Sequence, residues 1–181
     1  MSTAVRRARA ERPQVSKLRK GVEMLLIRSA SELLDAFRPL DLRIFELPDE
    51  ATFPLLVRGY RAWEETGGAK VYLVYEDPDT GRARGVVFRR NESVARAAVS
   101  QMCDWCHTIG SAYDIALLTA DESARRRVGI HVCRDLRCRE RIEEAGDLAG
   151  RDTAAAKKRL LARIARFARE ALNIGATAAE R

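Results

Sequence analysis

The chain of 181 residues has only two histidines and few aromatic side chains. So little histidine leaves little scope for general-base chemistry. A Gly-rich phosphate loop is missing, and so are the H-E-x-x-H pattern of metalloproteases, the G-x-S-x-G pattern of hydrolases and the H-x-E pattern of zinc deaminases. The sequence therefore predicts a binding protein and not an enzyme.

Long apolar runs are also missing. No stretch of 18 apolar residues occurs, which excludes a membrane-spanning helix, and Met1–Arg7 is not followed by the apolar stretch of a secretory signal. We therefore expect a cytoplasmic protein without a membrane partner. In the cytoplasm thiols stay reduced and are available to bind metal.

The charge is basic and unevenly distributed. The chain has 33 Lys and Arg against 26 Asp and Glu, a net charge of +7. Residues 1–20 hold seven basic groups and one acidic group, and residues 151–170 hold seven and two. These ends could attract ribosomal RNA or another nucleic acid, although the low aromatic content of 6% does not favour base stacking. The alternative interpretation is solvated helix faces and a flexible basic arm over residues 1–22.

The N-terminal region, residues 23–52, is predicted to be short, helical and irregular. Ser29 to Glu32 has the pattern of a capping box that opens a helix, with Leu33, Leu34 and Phe37 on one side and Pro39 at its end. The apolar run Met24–Ile27 is too short for its periodicity to distinguish a helix from a strand.

A β-hairpin is the clearest element of the middle region. Residues 70–76 and 84–89 are rich in β-branched and aromatic side chains, and the turn residues Asp77–Gly81 lie between them. Residues 57–64 are predicted as a third strand, although they also fit a helical stripe. Residues 152–173 repeat apolar side chains at helical spacing, with Asp152 or Thr153 as a cap and Gly175 as the stop. We expect this helix to pack on the sheet, with Arg159, Arg163 and Arg166 on its opposite side.

The four cysteines form two pairs, Cys103 with Cys106 and Cys133 with Cys138, separated by 26 residues. Two such pairs commonly bind one zinc ion tetrahedrally, and two disulfides are the alternative. A complete set of four protein ligands leaves no open position for water. The pattern therefore predicts one structural Zn²⁺ and no catalytic metal.

Two histidines lie next to the cysteine pairs. His107 follows Cys106, and His131 precedes Cys133 by two residues. Either imidazole could replace a thiol as a zinc ligand, but four cysteines are the preferred ligand set.

The order of elements around the cysteines is that of a treble-clef finger. A Cys knuckle precedes a strand over 110–120, in which Tyr113, Ile115 and Leu117 alternate. A turn at 121–123, a strand over 127–132 and a helix beginning near 139 follow, with Asp135 as the helix cap. We predict an α+β fold in which an antiparallel β-meander and this four-cysteine finger fill residues 53–148. Residues 149–181 form the C-terminal amphipathic helix and tail.

Three segments together resemble a known family. They are CDWCHTIGSAYDIALLTA at 103–120, GIHVCRDLRC at 129–138, and the preceding hairpin VYLVYE and GVVFR at 71–76 and 85–89. They are similar to the C-terminal treble-clef domain of the FusB-type family, the elongation factor G-binding proteins. The resemblance covers roughly residues 60–145.

The resemblance implies a protein that binds translation elongation factor G through its zinc-bearing domain. Family members that confer fusidic acid resistance promote release of the stalled factor from the ribosome. By this precedent the contact face lies on the finger and its hairpin. The alternative is that Trp105 packs in the core against the zinc site and that Arg125 to Arg127 form a solvated hairpin tip. The candidate contact residues are Trp105, Ile109, Tyr113, Arg125, Arg126 and Arg127.

Overall fold

The computed structural model describes residues 24–48, 51–90 and 100–175. The predicted basic arm at 1–22 and the end of the tail lie outside the described residues. The elements are β1 (Met24–Ile27), α1 (Ala30–Leu34), α2 (Pro39–Leu42), β2 (Leu55–Arg58), β3 (Tyr60–Glu64), β4 (Lys70–Glu76), β5 (Ala83–Arg90), β6 (Gln101–Met102), β7 (Ile109–Gly110), β8 (Ile115–Asp121), β9 (Arg127–Cys133), α3 (Cys138–Leu148) and α4 (Ala154–Leu172).

A five-stranded antiparallel sheet forms the centre of the molecule, in the order β3-β4-β5-β8-β9. Neighbours in the sheet are therefore also successive along the chain, apart from the short β6–β7 ribbon between β5 and β8. The predicted hairpin is β4–β5, which pairs from Lys70 with Arg89 to Glu76 with Ala83. The predicted α+β class with an antiparallel meander is confirmed.

The third predicted strand is divided in two. Gly59, with φ of 74°, interrupts it, so Tyr60–Glu64 pairs with β4 while Leu55–Arg58 pairs with Met24–Ile27 in a separate ribbon. Glycine accepts this left-handed conformation without a Cβ clash. The periodicity of Met24–Ile27 could not distinguish a helix from a strand, and its pairing in this ribbon shows that it is a strand.

The sheet separates two apolar cores. Successive side chains of a strand point to opposite faces. In β4, Val71, Leu73 and Tyr75 therefore enter the core beneath α4 and the cysteines, while Tyr72 and Val74 enter the core beneath α1. Burial of β4 on both faces explains its nearly continuous apolar sequence.

The short N-terminal helices differ from the expectation. The cap is confirmed, because Ser29 Oγ accepts the N–H of Glu32. Leu33 and Phe37 are buried, but Leu34 is exposed. Pro39 does not end α1; it opens α2, where a proline at the first helical position loses no hydrogen bond.

Helix α4 packs on the sheet as predicted, with its buried side chains in the core beneath it. The helix ends at Leu172, close to the expected end, and Asn173 takes the left-handed cap position in place of the expected stop at Gly175. The guanidinium of Arg163 was expected on the far side but is half-buried and donates to Trp105 O at 2.7 Å. Within the described residues, no helix has the length and apolar content that crossing a membrane requires.

The inward register of β8 also differs from the prediction. Ile115, Leu118 and Ala120 are buried, while Tyr113 is exposed and Leu117 is only half-buried. Tyr113 is exposed because it belongs to a turn before the strand, which is closed by the hydrogen bond from Ile115 N–H to Ser111 O. Within the strand, buried Leu118 and Ala120 alternate one residue out of step with Ile115, and Leu117 does not follow the expected pattern.

Candidate metal centre

The four cysteine sulfurs converge on one point, all within 4.8 Å of one another. The Sγ atoms of Cys103 and Cys138 are 3.6 Å apart, and those of Cys106 and Cys133 are 3.4 Å apart. A tetrahedron with Zn–S bonds near 2.3 Å has sulfurs about 3.8 Å apart. A disulfide would need sulfurs at about 2.05 Å, and all four cysteines are free.

The first cysteine pair lies in a tight turn between β6 and β7. The N–H of His107 donates to Cys103 O at 2.9 Å, and the N–H of Cys106 points at Cys103 Sγ at 3.4 Å. Thr108 Oγ1 lies 3.3 Å from Cys106 Sγ. Backbone and hydroxyl groups thus surround the sulfurs of this turn, as metal-bound thiolates require.

Asp104 attaches this turn to β9. Its N–H donates to His131 O at 2.8 Å, and its carboxylate accepts the N–H of His131 at 2.9 Å. Because β9 ends at Cys133, these two bonds hold the first cysteine pair beside the second. This is the contact that brings together ligands from distant parts of the sequence.

The second pair spans the end of β9 and the first residue of α3. Leu136 between the cysteines has φ of 53°, and its N–H donates to Cys133 O at 2.9 Å. Asp135 was expected to cap α3, but the cap residue is Arg137 and has no side-chain cap bond. The carboxylate of Asp135 accepts the N–H of Arg137 and pairs with Arg141 instead.

The sulfurs strongly affect one another's protonation. Hydrogen bonding with Cys103 lowers the pKa of Cys106 far below that of a free thiol and raises the pKa of Cys133 and Cys138. Four adjacent thiols therefore cannot all ionise without a cation. A divalent metal removes that obstacle and releases the protons as it binds.

Neither histidine joins the sulfur cluster. His107 and His131 are both exposed, and among the described residues the metal-ligating group contains cysteines only. Four sulfurs, three of them buried, suit zinc, and they leave no place for a reacting water. The protein's cofactor is one structural zinc ion, for which these sulfurs are positioned.

The candidate contact residues fall into three environments. Trp105 is 1% exposed and packs edge-on against Phe88, so its interpretation as a contact residue is wrong and the core interpretation applies. Ile109 and Tyr113 are 70% and 64% exposed, beside the first cysteine turn. The Arg125–Arg127 segment is exposed at the β8–β9 tip.

The structure does not bring the arginines near the other exposed candidates. Asp121 pairs with Arg127 at the tip, and Ile115 pairs with Cys133 at the zinc end, six residues along the strand. At about 3.3 Å per residue the two ends are roughly 20 Å apart. In addition, Arg127 pairs with Asp121 at 2.7 Å and Arg126 with Glu122 at 3.7 Å.

Three residues near the centre were missed by the sequence reasoning. Met102 is a Cα partner of Ile109 and is 50% exposed. Arg141 contacts Cys133 Sγ, and Tyr60 donates to Leu136 O between the second pair of cysteines. The helical spacing of Arg141 from Cys138 could have indicated its position, but the contact of Tyr60 spans 76 residues and has no local signal.

Comparison with protein-family models agrees with this geometry. The model of the family described as "FBP C-terminal treble-clef zinc-finger" matches residues 40–174, well over half of the chain. A search of curated proteins finds no significant match. Among solved structures, the fusidic acid resistance protein FusC is similar, with 17% identity and a TM-score of 0.43.

The match to FusC covers 68% of this chain and 56% of that one, so the chain spans about half the length of FusC. The family match is independent of it and agrees with the knuckle, hairpin and helix described above. The chain therefore belongs to the FusB-type family, whose C-terminal domain is the FBP treble-clef zinc finger.

Proposed function

We propose that this protein is a cytoplasmic, non-enzymatic adaptor that binds translation elongation factor G through its zinc-bearing domain. Membership of the FusB-type family supports the proposal. A closed four-sulfur centre supports a structural use of the metal. Release of the factor from a fusidic acid-stalled ribosome would be a consequence of this binding.

The observation that carries the proposal is an exposed apolar surface on the finger. Met102 and Ile109 are directly paired in the β6–β7 ribbon, and Tyr113 lies three residues beyond that ribbon. We name Met102, Ile109 and Tyr113 the finger patch. Exposed apolar and aromatic side chains on a rigid support are typical of protein interfaces. The two short strands, held by the zinc turn, provide that support.

The finger patch provides the first test. We expect Ile109→Asp together with Tyr113→Ser to weaken binding of purified elongation factor G at least tenfold, since central interface side chains each contribute 1 kcal/mol or more. Isothermal titration of the zinc-loaded protein measures this.

Leu148→Asp is the matched control, because Leu148 is 92% exposed at the end of α3, outside the finger patch. It should leave the affinity unchanged. Lack of binding by the zinc-loaded, unsubstituted protein at low salt would refute the proposed function itself.

RNA binding through the basic ends is the alternative. Arg159 and Arg166 on α4 are exposed and have no ion-pair partner among the described residues. RNA binding should weaken steeply with salt and should be lost on deleting residues 1–20 and neutralising Arg159, Arg163 and Arg166. Affinity that is flat with salt, or that survives these changes, excludes this alternative.

A further inference from the structure

One charged side chain contacts a sulfur of the metal centre. Arg141 lies in the first turn of α3, three residues after Cys138, and its Nη1 is 3.1 Å from Cys133 Sγ. This spacing places the guanidinium of Arg141 over the residues that precede the helix. Arg141 therefore connects the helix that carries one cysteine with the strand that carries another.

The guanidinium is held in a fixed orientation. Its Nη2 donates to Asp135 Oδ2 at 2.9 Å, and Asp135 Oδ1 accepts the N–H of Arg137 at 3.0 Å. The carboxylate is thus anchored to the backbone between the two cysteines. The carboxylate orients Nη2 of the guanidinium, while Nη1 contacts the sulfur.

The charge of the centre gives this contact its importance. Four thiolates and one Zn²⁺ carry a net charge of −2, and a guanidinium at hydrogen-bond distance offsets part of it. The side chain of Arg141 is 26% exposed, so water screens the pair only partly. Among the described residues, this is the one cation that donates to a cysteine sulfur.

We propose that Arg141 is a positioning residue of the metal centre, oriented by Asp135, which reduces the negative charge on Cys133 and retains the zinc ion. This inference concerns the zinc site and does not depend on the partner proposed above. Outer contacts of this kind affect metal affinity by about 10- to 100-fold.

The test is Arg141→Met in the full chain. Zinc affinity, measured by competition with a chromogenic chelator, should fall at least tenfold. In the Co²⁺-substituted protein, the sulfur-to-cobalt charge-transfer band should move, because a thiolate without the hydrogen bond is a stronger electron donor. A purely structural role would lower the melting temperature without moving this band.

Arg137→Met is the matched control. Arg137 is exposed in the same segment, and its side chain makes no hydrogen bond or ion pair within the described part of the chain. It removes the same charge but should leave the band unmoved and the affinity within twofold. Equal effects of the two substitutions, or no effect of Arg141→Met, would overturn the proposal.

Two milder variants keep the test decisive if Arg141→Met fails to fold. Arg141→Lys keeps the charge and loses the two-point contact, so its affinity should lie below that of the unsubstituted protein. Asp135→Asn should move the cobalt band in the same direction, and by less than removal of the guanidinium. An unmoved band in both variants would contradict the proposal.

Discussion

The hydroxyl of Tyr60 connects the far edge of the sheet to the metal centre. It donates to Leu136 O at 2.5 Å and accepts the N–H of Arg139 at 3.2 Å. Burial raises the pKa of this phenol well above its ordinary value, so the group remains a donor. Tyr60 thereby fixes the left-handed turn between Cys133 and Cys138.

Tyr60→Phe should lower the free energy of unfolding by about 1–3 kcal/mol, because it leaves the carbonyl of buried Leu136 and the part-buried N–H of Arg139 without their partner. Urea unfolding of the zinc-loaded protein measures the change. Tyr113→Phe is the control: its hydroxyl has no partner in the described residues, and its effect should stay within about 0.5 kcal/mol. Equal effects of the two substitutions would contradict this role of Tyr60.

The cysteines could be predicted from the sequence because each pair is local and its spacing is fixed by the geometry of one turn. Trp105 could not be placed in this way. An indole between two zinc ligands suits a core and an interface equally well, and only the packing of Phe88 against it decides. Residue type alone therefore identifies a metal ligand better than it identifies a contact residue.

At the scale of elements, Arg38 joins three segments that are distant in the sequence. It pairs in a bidentate manner with buried Asp41 in α2, and it donates to Leu172 O at 2.8 Å and to Asp121 O at 2.6 Å. The C-terminus of α4 and the end of β8 are thus tied to α2. Burial raises the pKa of Asp41, and the hydrogen bond and charge of Arg38 oppose that rise.

Arg38→Met should destabilise the protein by about 3–5 kcal/mol, because it leaves the Asp41 carboxylate buried and unpaired. Chemical unfolding measures the loss. Adding Asp41→Asn should recover part of it, because the amide carries no charge. A double variant less stable than Arg38→Met would contradict this account.

Elements with a strong local pattern were predicted correctly, with ends at or within two residues of those expected. The β4–β5 hairpin has its turn residues, and α4 has its apolar stripe. The division at Gly59 and the start of α2 at Pro39 depend on long-range pairing, which a glycine or proline in the sequence permits but does not require. These two boundaries therefore needed the structure.

At the scale of the whole molecule, each face of the sheet has its own tryptophan. Trp105 lies beside the cysteines, and Trp63 packs in the opposite core, 5.7 Å from Tyr72 and 6.1 Å from Phe45. The cysteine ligands all belong to the first core. Zinc therefore stabilises the first core directly, and it stabilises the second core only through the strands that both cores share.

Single-tryptophan variants test this division. On zinc removal by a chelator, Trp105 emission in Trp63→Phe should shift to longer wavelength as its surroundings open to water. Trp63 emission in Trp105→Phe should stay in place, while urea should shift both. Equal shifts of the two tryptophans on chelation would show that the cores open as one unit.

Contact between the N-terminal helices and the sheet depends on a missing side chain. Gly85 in β5 donates its N–H to Ala36 O at 2.8 Å, and a Cβ built on it would lie 2.5 Å from the ring of Phe37. Even a single added methyl group would displace that ring, which is part of the second core. The smaller of the two cores thus depends on the absence of a side chain at this one position.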